Sequence, residues 1–348
     1  MYAAVLSEFG RFEWKEVPTP QAKAGQVLVR VQYASICGSD IHVFKGEFGA
    51  RTPVPFIPGH EFAGIIEQVG EGVDAFSIGE QVAVDPIMWC GRCSACQHGH
   101  FPACTSLKLV GIDLDGGFAE YVSVDASMVY KVPATIRPEH AALIEILGIG
   151  FHACNRAKVS EGQMLAIYGA GRVGQSILQA AQTKTSAPVF VVDILPNRLA
   201  IIDTHFENVR TINALEENAA EVIQRETGGG VDIAFEAVGH AQNLDQTIQP
   251  VLGCVESIRG GGTVCVLGLS DDPVPVVFKK LIWKEARLMT SRVSHGEFSE
   301  VIGALAAGTL TPEALISEIV PASQTQQAFE KIITSPQDTL KILLDMNG

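Results

Sequence analysis

The fold is decided by one stretch of the sequence, Met164-Leu165-Ala166-Ile167-Tyr168-Gly169-Ala170-Gly171-Arg172-Val173-Gly174. Its first half is a short apolar run typical of a buried strand, and its second half fits the pattern G-x-G-x-x-G at the start of a helical segment. The glycines allow the backbone to turn tightly and to approach a pyrophosphate, which is then held at the helix N-terminus. The stretch therefore predicts a dinucleotide-binding strand–turn–helix unit.

An acidic residue follows this unit where a nucleotide site requires one. Asp193 stands about twenty residues beyond the glycine turn, at the end of a second apolar run, Val189–Val192. Its carboxylate can accept hydrogen bonds from an adenosine ribose diol and would repel a 2′-phosphate, which favours NAD over NADP. Arg198 is the nearby cation that could partly accommodate such a phosphate. The predicted cofactor-binding residues are Gly169, Ala170, Gly171, Arg172, Val173, Gly174, Asp193, Arg198, Val238, Leu267 and Leu269.

Further apolar runs follow the glycine turn. Val231–Phe235 and Thr263–Leu267 alternate with helical stretches such as Val173–Ala181. Continuous apolar strands that alternate with helices predict a doubly wound parallel sheet with both faces covered. We expect this nucleotide domain to span residues 151–289.

The part of the chain before this domain has a different pattern. Gln26–Val31 alternates between apolar and polar residues, and short strands are predicted at Phe62–Val69, Gln81–Val84 and Phe118–Val124, separated by Gly, Pro and Asp. Closely spaced strands and turns predict a compact β-barrel domain.

The last part of the chain carries a helical segment, Phe298–Ala307, and a closing strand at Lys341–Leu344. We expect it to return to the β domain, so that residues 1–150 and 290–348 form one domain and the nucleotide domain is an insertion.

Composition and charge exclude several classes of protein. The 348 residues include 47% hydrophobic and 18% charged residues, as in a well-packed globular protein, and the formal net charge is −14. An acidic surface repels nucleic-acid phosphates. The N-terminal segment lacks the basic and apolar regions of a secretory signal, and no apolar run reaches the roughly 18 residues of a membrane span. The sequence therefore predicts a soluble, cytoplasmic protein.

Four cysteines are clustered in a predicted lobe at residues 88–106. Cys90, Cys93, Cys96 and Cys104 can supply a closed tetrahedral shell of thiolates to a structural zinc ion, which leaves no room for a substrate. In a reducing cytosol such a cluster favours a metal over disulfides. A redox role for the two C-x-x-C pairs is the alternative. A nucleic-acid zinc module is a further reading, against which the acidic charge argues.

A second group of candidate ligands is spread over two segments. Cys37 and the adjacent pair His60 and Glu61 bring a thiolate, an imidazole and a carboxylate close to predicted strand ends. Three protein ligands and one open position are the arrangement of a catalytic zinc site. Each piece alone is ambiguous, but their occurrence beside a nucleotide fold and a cysteine lobe favours a metal site.

Taken together, these motifs resemble the zinc-dependent medium-chain dehydrogenase/reductase superfamily across essentially the whole chain. Within it, Glu61 after His60 and the carboxylate of Glu145 are most similar to the polyol, threonine and sugar-acid branch, which includes sorbitol and galactonate or gulonate dehydrogenases. The resemblance implies a GroES-like β-barrel catalytic domain, a Rossmann coenzyme domain, and a homodimer or homotetramer. The matching segments are Cys37–Asp40, Gly59–Glu61, the cysteine lobe, Asp115–Tyr121 and Gly169–Gly174.

The resemblance also implies a role for individual residues. Cys37, His60 and Glu61 would bind the catalytic zinc, and Glu145 would be a fourth, exchangeable ligand or would hold the zinc-bound water. The proline that usually follows this glutamate is Ile146 here, and Arg172 also stands where proline is common. Neither change removes a ligand.

A proton route is implied by the same resemblance. Ser39 would accept the proton of the alcohol and pass it through the cofactor ribose towards His42, for which a surface role is the alternative. Asp40 would orient a zinc ligand.

The expected activity is oxidation of a secondary alcohol in a polyol or sugar acid to a ketone, with NAD⁺ as the hydride acceptor. Arg292, in the segment Met289–Arg292, is a candidate for pairing with a substrate carboxylate, although a salt bridge or a cofactor contact are equal alternatives. A threonine-type amino alcohol dehydrogenase and a non-catalytic NAD-binding structural protein are the competing functions.

Overall fold

The computed structural model describes residues 1–239, 249–270, 273–274 and 276–348. The chain divides into two compact units. The first unit comprises Met1–Glu145, Phe298–Gly308 and Leu315–Gly348, and the second comprises Ile146–Glu297 and Thr309–Ala314. No helix in the described part of the chain is long and apolar enough to cross a membrane.

The first unit is built mainly from strands. The elements are β1 (Tyr2–Glu8), β2 (Arg11–Glu16), β3 (Gln26–Ser35), α1 (Gly38–Phe44), β4 (Glu61–Val69), β5 (Gln81–Val84), β6 (Ile87–Met88), α2 (Ser94–Gln97), β7 (Lys108–Leu109), β8 (Tyr121–Asp125), β9 (Val129–Lys131), α3 (Pro138–Ala141), α10 (Phe298–Ala306), β16 (Ile316–Pro321), α11 (Thr325–Thr334) and β17 (Lys341–Asp345). The principal sheet has the order β16-β17-β3-β4-β5-β9, and β8 also pairs with β3. The central strand β3 therefore carries most of the pairing, and its alternate residues Val27, Val29 and Val31 are buried.

A cluster of phenylalanines fixes the end of α1 against the rest of the first unit. The ring of Phe329 in α11 lies 4.7 Å from that of Phe12 in β2 and 5.2 Å from that of Phe44 in α1, between centroids. Phe118 meets the same ring edge-on at 6.1 Å. Such aromatic contacts add to the free energy gained from burial alone. They hold α1 in place, and α1 carries several of the candidate catalytic residues.

The second unit is a parallel sheet with helices. The elements are α4 (Ile144–Ala157), β10 (Leu165–Tyr168), α5 (Arg172–Gln182), β11 (Val189–Asp193), α6 (Pro196–His205), β12 (Val209–Asn213), α7 (Ala219–Thr227), β13 (Val231–Glu236), α8 (Pro250–Ser257), β14 (Ile258–Val266), α9 (Phe278–Trp283) and β15 (Arg287–Thr290). The first two residues of α4, Ile144 and Glu145, belong to the first unit. The strand order is β12-β11-β10-β13-β14-β15, and every neighbouring pair is parallel. Numbered within the unit, this is the order 3-2-1-4-5-6 of a dinucleotide-binding sheet.

This strand order indicates at which end of the sheet a nucleotide is expected to bind. Chain connections leave β10 in one direction and β13 in the other, so a crevice opens at the carboxyl ends of these neighbouring strands. Residues Leu165–Ile167 are completely buried, as expected for a strand covered on both faces.

The predicted elements differ from the observed ones in a few places. Phe118–Glu120 precede β8 instead of forming its start, and strands β1, β2, β6, β7, β9, β12, β15 and β16 were not predicted. Residues 146–150, 290–297 and 309–314 belong to the second unit, whereas the sequence pattern placed them with the first. Residues 309–314 contact α5 of that unit, where the backbone N–H of Thr311 donates to Gln179 Oε1 at 2.9 Å.

Candidate active site and metal sites

Asp40 links two of the candidate zinc ligands. Cys37 is the residue immediately before α1, and its backbone N–H donates to Asp40 Oδ2 at 2.8 Å. Asp40 Oδ1 lies 3.1 Å from Nδ1 of His60, in the manner of a carboxylate that accepts a hydrogen bond from imidazole. With Nδ1 engaged in this way, Nε2 of His60 is the nitrogen available to a metal. Asp40 therefore orients one ligand and fixes the backbone of another.

A glycine turn presents His60 to this group. Gly59 has a φ of +98°, and a Cβ at this position would lie 2.3 Å from the ring of Phe118. The carbonyl of Gly59 accepts the N–H of Gly117 at 2.8 Å. Only glycine satisfies both the left-handed backbone and the close approach of the ring. The Asp115–Phe118 segment thus acts as a support for the turn before His60.

The structure brings Cys37, His60 and Glu61 together. Their potential ligand atoms all lie within 4.8 Å of one another. His60 and Glu61 are almost completely buried. A thiolate, an imidazole and a carboxylate are ligands that zinc prefers.

Glu145 supplies a further observation at this site. Its Oε2 atom is buried and has no hydrogen-bond partner among the described residues. A buried polar atom without a partner is costly and usually indicates an unobserved ion or water. Glu145 is not part of the group whose ligand atoms lie within 4.8 Å. The donor set and the orphaned oxygen together fit a zinc ion.

The charges in this group perturb one another strongly. Burial, and next the charge of Glu61, raise the pKa of Glu145 to about 8. Burial acts to lower the pKa of His60, but the Asp40 carboxylate outweighs it, and the pKa is raised well above its usual value. Perturbed ionisation in a buried group of this kind is typical of functional sites.

Lys341 is a residue at this site that the sequence reasoning missed. Its Nζ donates to both carboxylate oxygens of Glu61 at 2.5 Å, and both side chains are completely buried. The available signal was a lysine at the start of the apolar strand Lys341–Leu344, because a buried lysine requires an anionic partner.

Ser39 and His42 lie three residues apart on α1, so they share a helix face. Ser39 Oγ lies 3.3 Å from Nε2 of His60. The side chain of His42 is half exposed, and its Nδ1 contacts Oε2 of Glu47. Ser39 therefore lies beside the candidate ligand His60, and His42 is accessible to solvent.

The four cysteines of the lobe form a second candidate metal-binding site. Their sulfur atoms all lie within 4.8 Å of one another. Tetrahedral zinc with Zn–S bonds of about 2.3 Å requires sulfur separations of roughly 3.8 Å. The sulfurs of Cys93 and Cys96 are 3.5 Å apart, which is too far for a disulfide. Backbone N–H groups of Cys96 and Thr105 lower the pKa of Cys93 to about 5, whereas burial raises the pKa of the neighbouring Cys96 to about 12.

The nucleotide turn has the geometry that its sequence requires. Gly169 has a φ of +108°, and a Cβ on Gly174 would lie 1.7 Å from the carbonyl oxygen of Gly169. Asp193 Oδ2 accepts the backbone N–H of Ala170 at 2.7 Å. The turn, the start of α5 and the end of β11 are therefore tied together.

Arg198 lies close enough to this carboxylate to interact with its charge. Burial lowers the pKa of Arg198, whose guanidinium interacts with the charges of Asp193 and Arg172. Asp193 Oδ1 accepts the backbone N–H groups of Ile194 at 2.7 Å and Leu195 at 3.0 Å.

The remaining predicted coenzyme residues lie beyond the ends of β13 and β14. Val238 and Leu269 are exposed and Leu267 is partly buried. Their turns are held by Glu236, which was not predicted. Its carboxylate accepts backbone N–H groups from Val238 at 2.8 Å, and from Gly239 and Gly268 at 3.1 Å each.

Arg292 is the remaining predicted residue. It is exposed and stands two residues beyond the end of β15. It belongs to the second unit, whereas Cys37, His60 and Glu61 belong to the first.

Comparison with known proteins identifies the family. Residues 23–134 match the alcohol dehydrogenase GroES-like domain, and residues 173–307 match the zinc-binding dehydrogenase family. Sorbitol dehydrogenase of Bacillus subtilis (strain 168) is 32% identical over 100% of this chain and 98% of its own length. A 2-dehydro-3-deoxy-L-galactonate 5-dehydrogenase of Pseudoalteromonas atlantica is 30% identical, with 94% of this chain and 93% of the relative covered.

A solved structure agrees with both. The crystal structure of a short chain alcohol dehydrogenase from Escherichia coli CFT073, complexed with NADH, has a TM-score of 0.89 and 29% identity, and covers 99% of each chain. These findings confirm the predicted GroES-like and Rossmann folds and the use of zinc with NAD(P). The chain belongs to the zinc-dependent alcohol dehydrogenases of the medium-chain dehydrogenase/reductase superfamily, in their polyol and sugar-acid branch.

Proposed function

We propose that this enzyme oxidises a secondary alcohol of a polyol or sugar acid to a ketone, with NAD⁺ as its preferred acceptor. The observation that carries this proposal is the pair of buried carboxylates, Glu61 and Glu145, beside Cys37 and His60. The buried Oε2 of Glu145, which has no hydrogen-bond partner among the described residues, can accept a hydrogen bond from a substrate hydroxyl. A substrate with several hydroxyl groups matches such a site better than a simple hydrophobic alcohol does.

Each residue at the site has a proposed role. Cys37, His60 and Glu61 would hold the zinc ion, with Glu145 as the further carboxylate. Zinc, when bound, supplies Lewis-acid activation of the alcohol. Asp40 keeps the imidazole of His60 turned so that Nε2 is available.

Proton release uses a second set of side chains. Ser39 would accept the proton of the alcohol at Oγ and pass it through the cofactor ribose towards His42, whose side chain is half exposed and would deliver it to solvent. The hydride goes to the nicotinamide, whose own chemistry performs that transfer.

The coenzyme preference follows from Asp193. Its carboxylate would accept hydrogen bonds from the adenosine ribose and would repel a 2′-phosphate. Arg198 beside it would contact the same ribose. Arg292 is proposed as the partner of a substrate carboxylate in the case of a sugar acid.

The proposed setting is the cytoplasm, where reducing conditions keep thiolates available to metal. We also propose a homodimer or homotetramer. Supporting it, the side chains of Phe278, Ile282, Trp283 and Leu288 are exposed, and these residues lie within or shortly before β15, the last strand in the order of the described sheet. Exposed apolar groups beside an unpaired strand edge are typical of an association surface.

The test is NADH formation by the zinc-loaded protein with polyols, aldonates, threonine and simple secondary alcohols, each beside a Cys37→Ser control. Turnover of an aldonate that disappears in the control supports the proposal, including the role of Arg292. Turnover of neutral polyols alone retains the mechanism and removes that role. Turnover of threonine alone would replace the proposed substrate class, and a protein that binds no catalytic zinc would favour a non-catalytic NAD-binding role.

A further inference from the structure

Lys341 is a completely buried cation whose hydrogen-bonding capacity is fully used. Nζ donates to both carboxylate oxygens of Glu61 and, at 3.5 Å, to the carbonyl oxygen of Ile36. An ammonium group has three donors, so each of them has an acceptor here. Ile36 directly precedes the candidate ligand Cys37. Lys341 therefore contacts the group of candidate zinc ligands in two ways, through the side chain of Glu61 and through the backbone next to Cys37.

The contact between Lys341 and Glu61 results from the strand pairing in the sheet. Ser35, at the end of β3, is the pairing partner of Glu61 in β4 and of Leu343 in β17. The strands that carry Lys341 and Glu61 thus border the end of β3 on opposite sides. Because three paired strands fix their separation, the contact is a built feature of the fold and not a chance surface ion pair.

The ion pair is closed off from solvent, since the side chains of Lys341 and Glu61 are both 0% exposed. Buried charges are costly unless they are paired. Lys341 therefore stabilises the anionic form of Glu61 and at the same time cancels its charge.

A metal ion at this site would meet two anionic ligands, the Cys37 thiolate and the Glu61 carboxylate. On their own these two charges would neutralise a divalent ion. The adjacent ammonium of Lys341 restores one positive charge to the group. An activated alcohol carries developing negative charge, which a positively charged group stabilises.

We propose that Lys341 is a positioning residue that holds the Glu61 carboxylate and offsets its charge, so that a metal ion at Cys37, His60 and Glu61 remains positively charged towards its open position. This inference rests on the proposed function. Lys341 would have two opposite effects. Its ammonium would help to stabilise negative charge on a ligand at the open position, but it would also weaken metal binding, since it repels a divalent cation.

The experiment compares Lys341→Met with Lys341→Arg, which keeps the charge. Co²⁺ is titrated into protein that retains zinc in the cysteine lobe, and azide is then titrated against the Co²⁺ absorption. We expect Lys341→Met to bind Co²⁺ on the order of tenfold more tightly and azide on the order of tenfold more weakly, because one positive charge has been removed nearby. Lys341→Arg should resemble the wild type in both measurements.

A charge-balanced variant keeps the test decisive if the single change impairs folding. In Glu61→Gln combined with Lys341→Met, both charges of the pair are absent, so azide affinity should return to within about threefold of the wild-type value. Looser Co²⁺ binding with unchanged azide affinity in Lys341→Met would show a merely structural lysine and overturn the proposal. An azide affinity of the double variant that stays as low as that of Lys341→Met would also overturn it.

Metal and azide binding require no substrate, so an inactive substrate panel leaves this test intact. Failure of Co²⁺ to bind the wild type at all would remove both the proposed function and the role of Lys341.

Discussion

The carboxylate of Asp193 accepts a hydrogen bond from the backbone N–H of Ala170 at 2.7 Å. This contact joins the end of β11 to the glycine turn after β10, two neighbouring strands of the parallel sheet. One side chain therefore fixes the turn and also presents a negative charge where the adenosine ribose is expected. Removal of this carboxylate should therefore affect the binding of NAD⁺ and of NADP⁺ differently.

Replacing Asp193 by Ser should change the coenzyme preference. We expect KM for NAD⁺ to rise on the order of tenfold, since a charge-assisted hydrogen bond is lost. KM for NADP⁺ should fall, because the repulsion of the 2′-phosphate is removed while Arg198 remains. Initial-rate kinetics with both coenzymes measure this. Asp203→Ser, which removes an exposed acid from the following helix, is the control, and an unchanged ratio of the two KM values in Asp193→Ser would contradict the ribose assignment.

Glu145 should give the metal-free protein a characteristic pH dependence of stability. Its pKa in the folded state is about 8, above the usual value of 4.5, so the folded protein holds a proton that the unfolded chain has released. Its contribution is complete below pH 4.5 and is lost as pH rises to 8. Relative to Glu145→Gln, the wild-type free energy of unfolding should fall by up to about 1.4 kcal/mol per pH unit in this window.

Denaturant titrations of both metal-free proteins at several pH values between 4.5 and 8 measure this difference. The comparison with Glu145→Gln cancels the contributions of other groups. Parallel stability profiles for the two proteins would mean that Glu145 is not the buried acid described here.

Asp40→Asn should weaken zinc binding at the catalytic group. The amide cannot serve both as acceptor for the Cys37 N–H and as a charged partner for His60, which Asp40 does at 2.8 Å and 3.1 Å. Loss of such a supporting carboxylate typically costs about 10–100-fold in metal affinity. Competition with a chromophoric chelator measures the affinity, and Asp232→Asn serves as control, because Asp232 accepts the backbone N–H of Met164 at 2.9 Å in the second unit and belongs to neither metal group. Equal affinities in the wild type and Asp40→Asn would contradict the orienting role.

Cys96→Ser should remove the metal of the cysteine lobe and leave the catalytic group loaded. Stability should fall by several kcal/mol at most, because the ion closes a loop whose ligands lie within 4.8 Å. Elemental analysis and thermal denaturation measure the two effects. Cys265→Ser alters a buried thiol in β14 and should lower stability without changing zinc content. Full zinc content in Cys96→Ser would exclude a closed four-thiolate site.

Trp283→Lys should weaken self-association. The side chain of Trp283 is 77% exposed and is close in sequence to other exposed apolar residues and to β15. A lysine there would place a hydrated charge in a surface that otherwise buries apolar area. Light scattering over a range of protein concentrations measures the oligomeric state. An unchanged state in this variant would locate the interface elsewhere.

Local motifs explain how much of the fold the sequence could predict. The Gly169–Gly174 turn is flanked by its own strand and helix, so its meaning is contained in one short segment. The lobe cysteines likewise lie within one loop. The edge strands β12 and β16 were missed because their residues mix polar and apolar types without the continuous burial of central strands.

The missed site residues depend on distant pairings. Lys341 and Glu61 are 280 residues apart in sequence, and only the pairing of β17 and β4 with β3 brings them together. Glu236 is similar, because the N–H of Gly268 that it accepts lies 32 residues further on. A single sequence shows that a buried charge needs a partner, but the partner emerges only from strand order.

The separation of Lys341 and Glu61 in the sequence has a consequence during synthesis of the chain on the ribosome. At a synthesis rate of about 5–20 residues per second, a ribosome needs roughly 14 to 56 s to add the 280 residues between them. The whole nucleotide-binding unit is translated in this interval. The nascent chain thus contains Cys37, His60 and Glu61 well before it contains the ammonium of Lys341. The buried ion pair with Glu61 can form only after β17 has been synthesised and has joined the sheet beside β3.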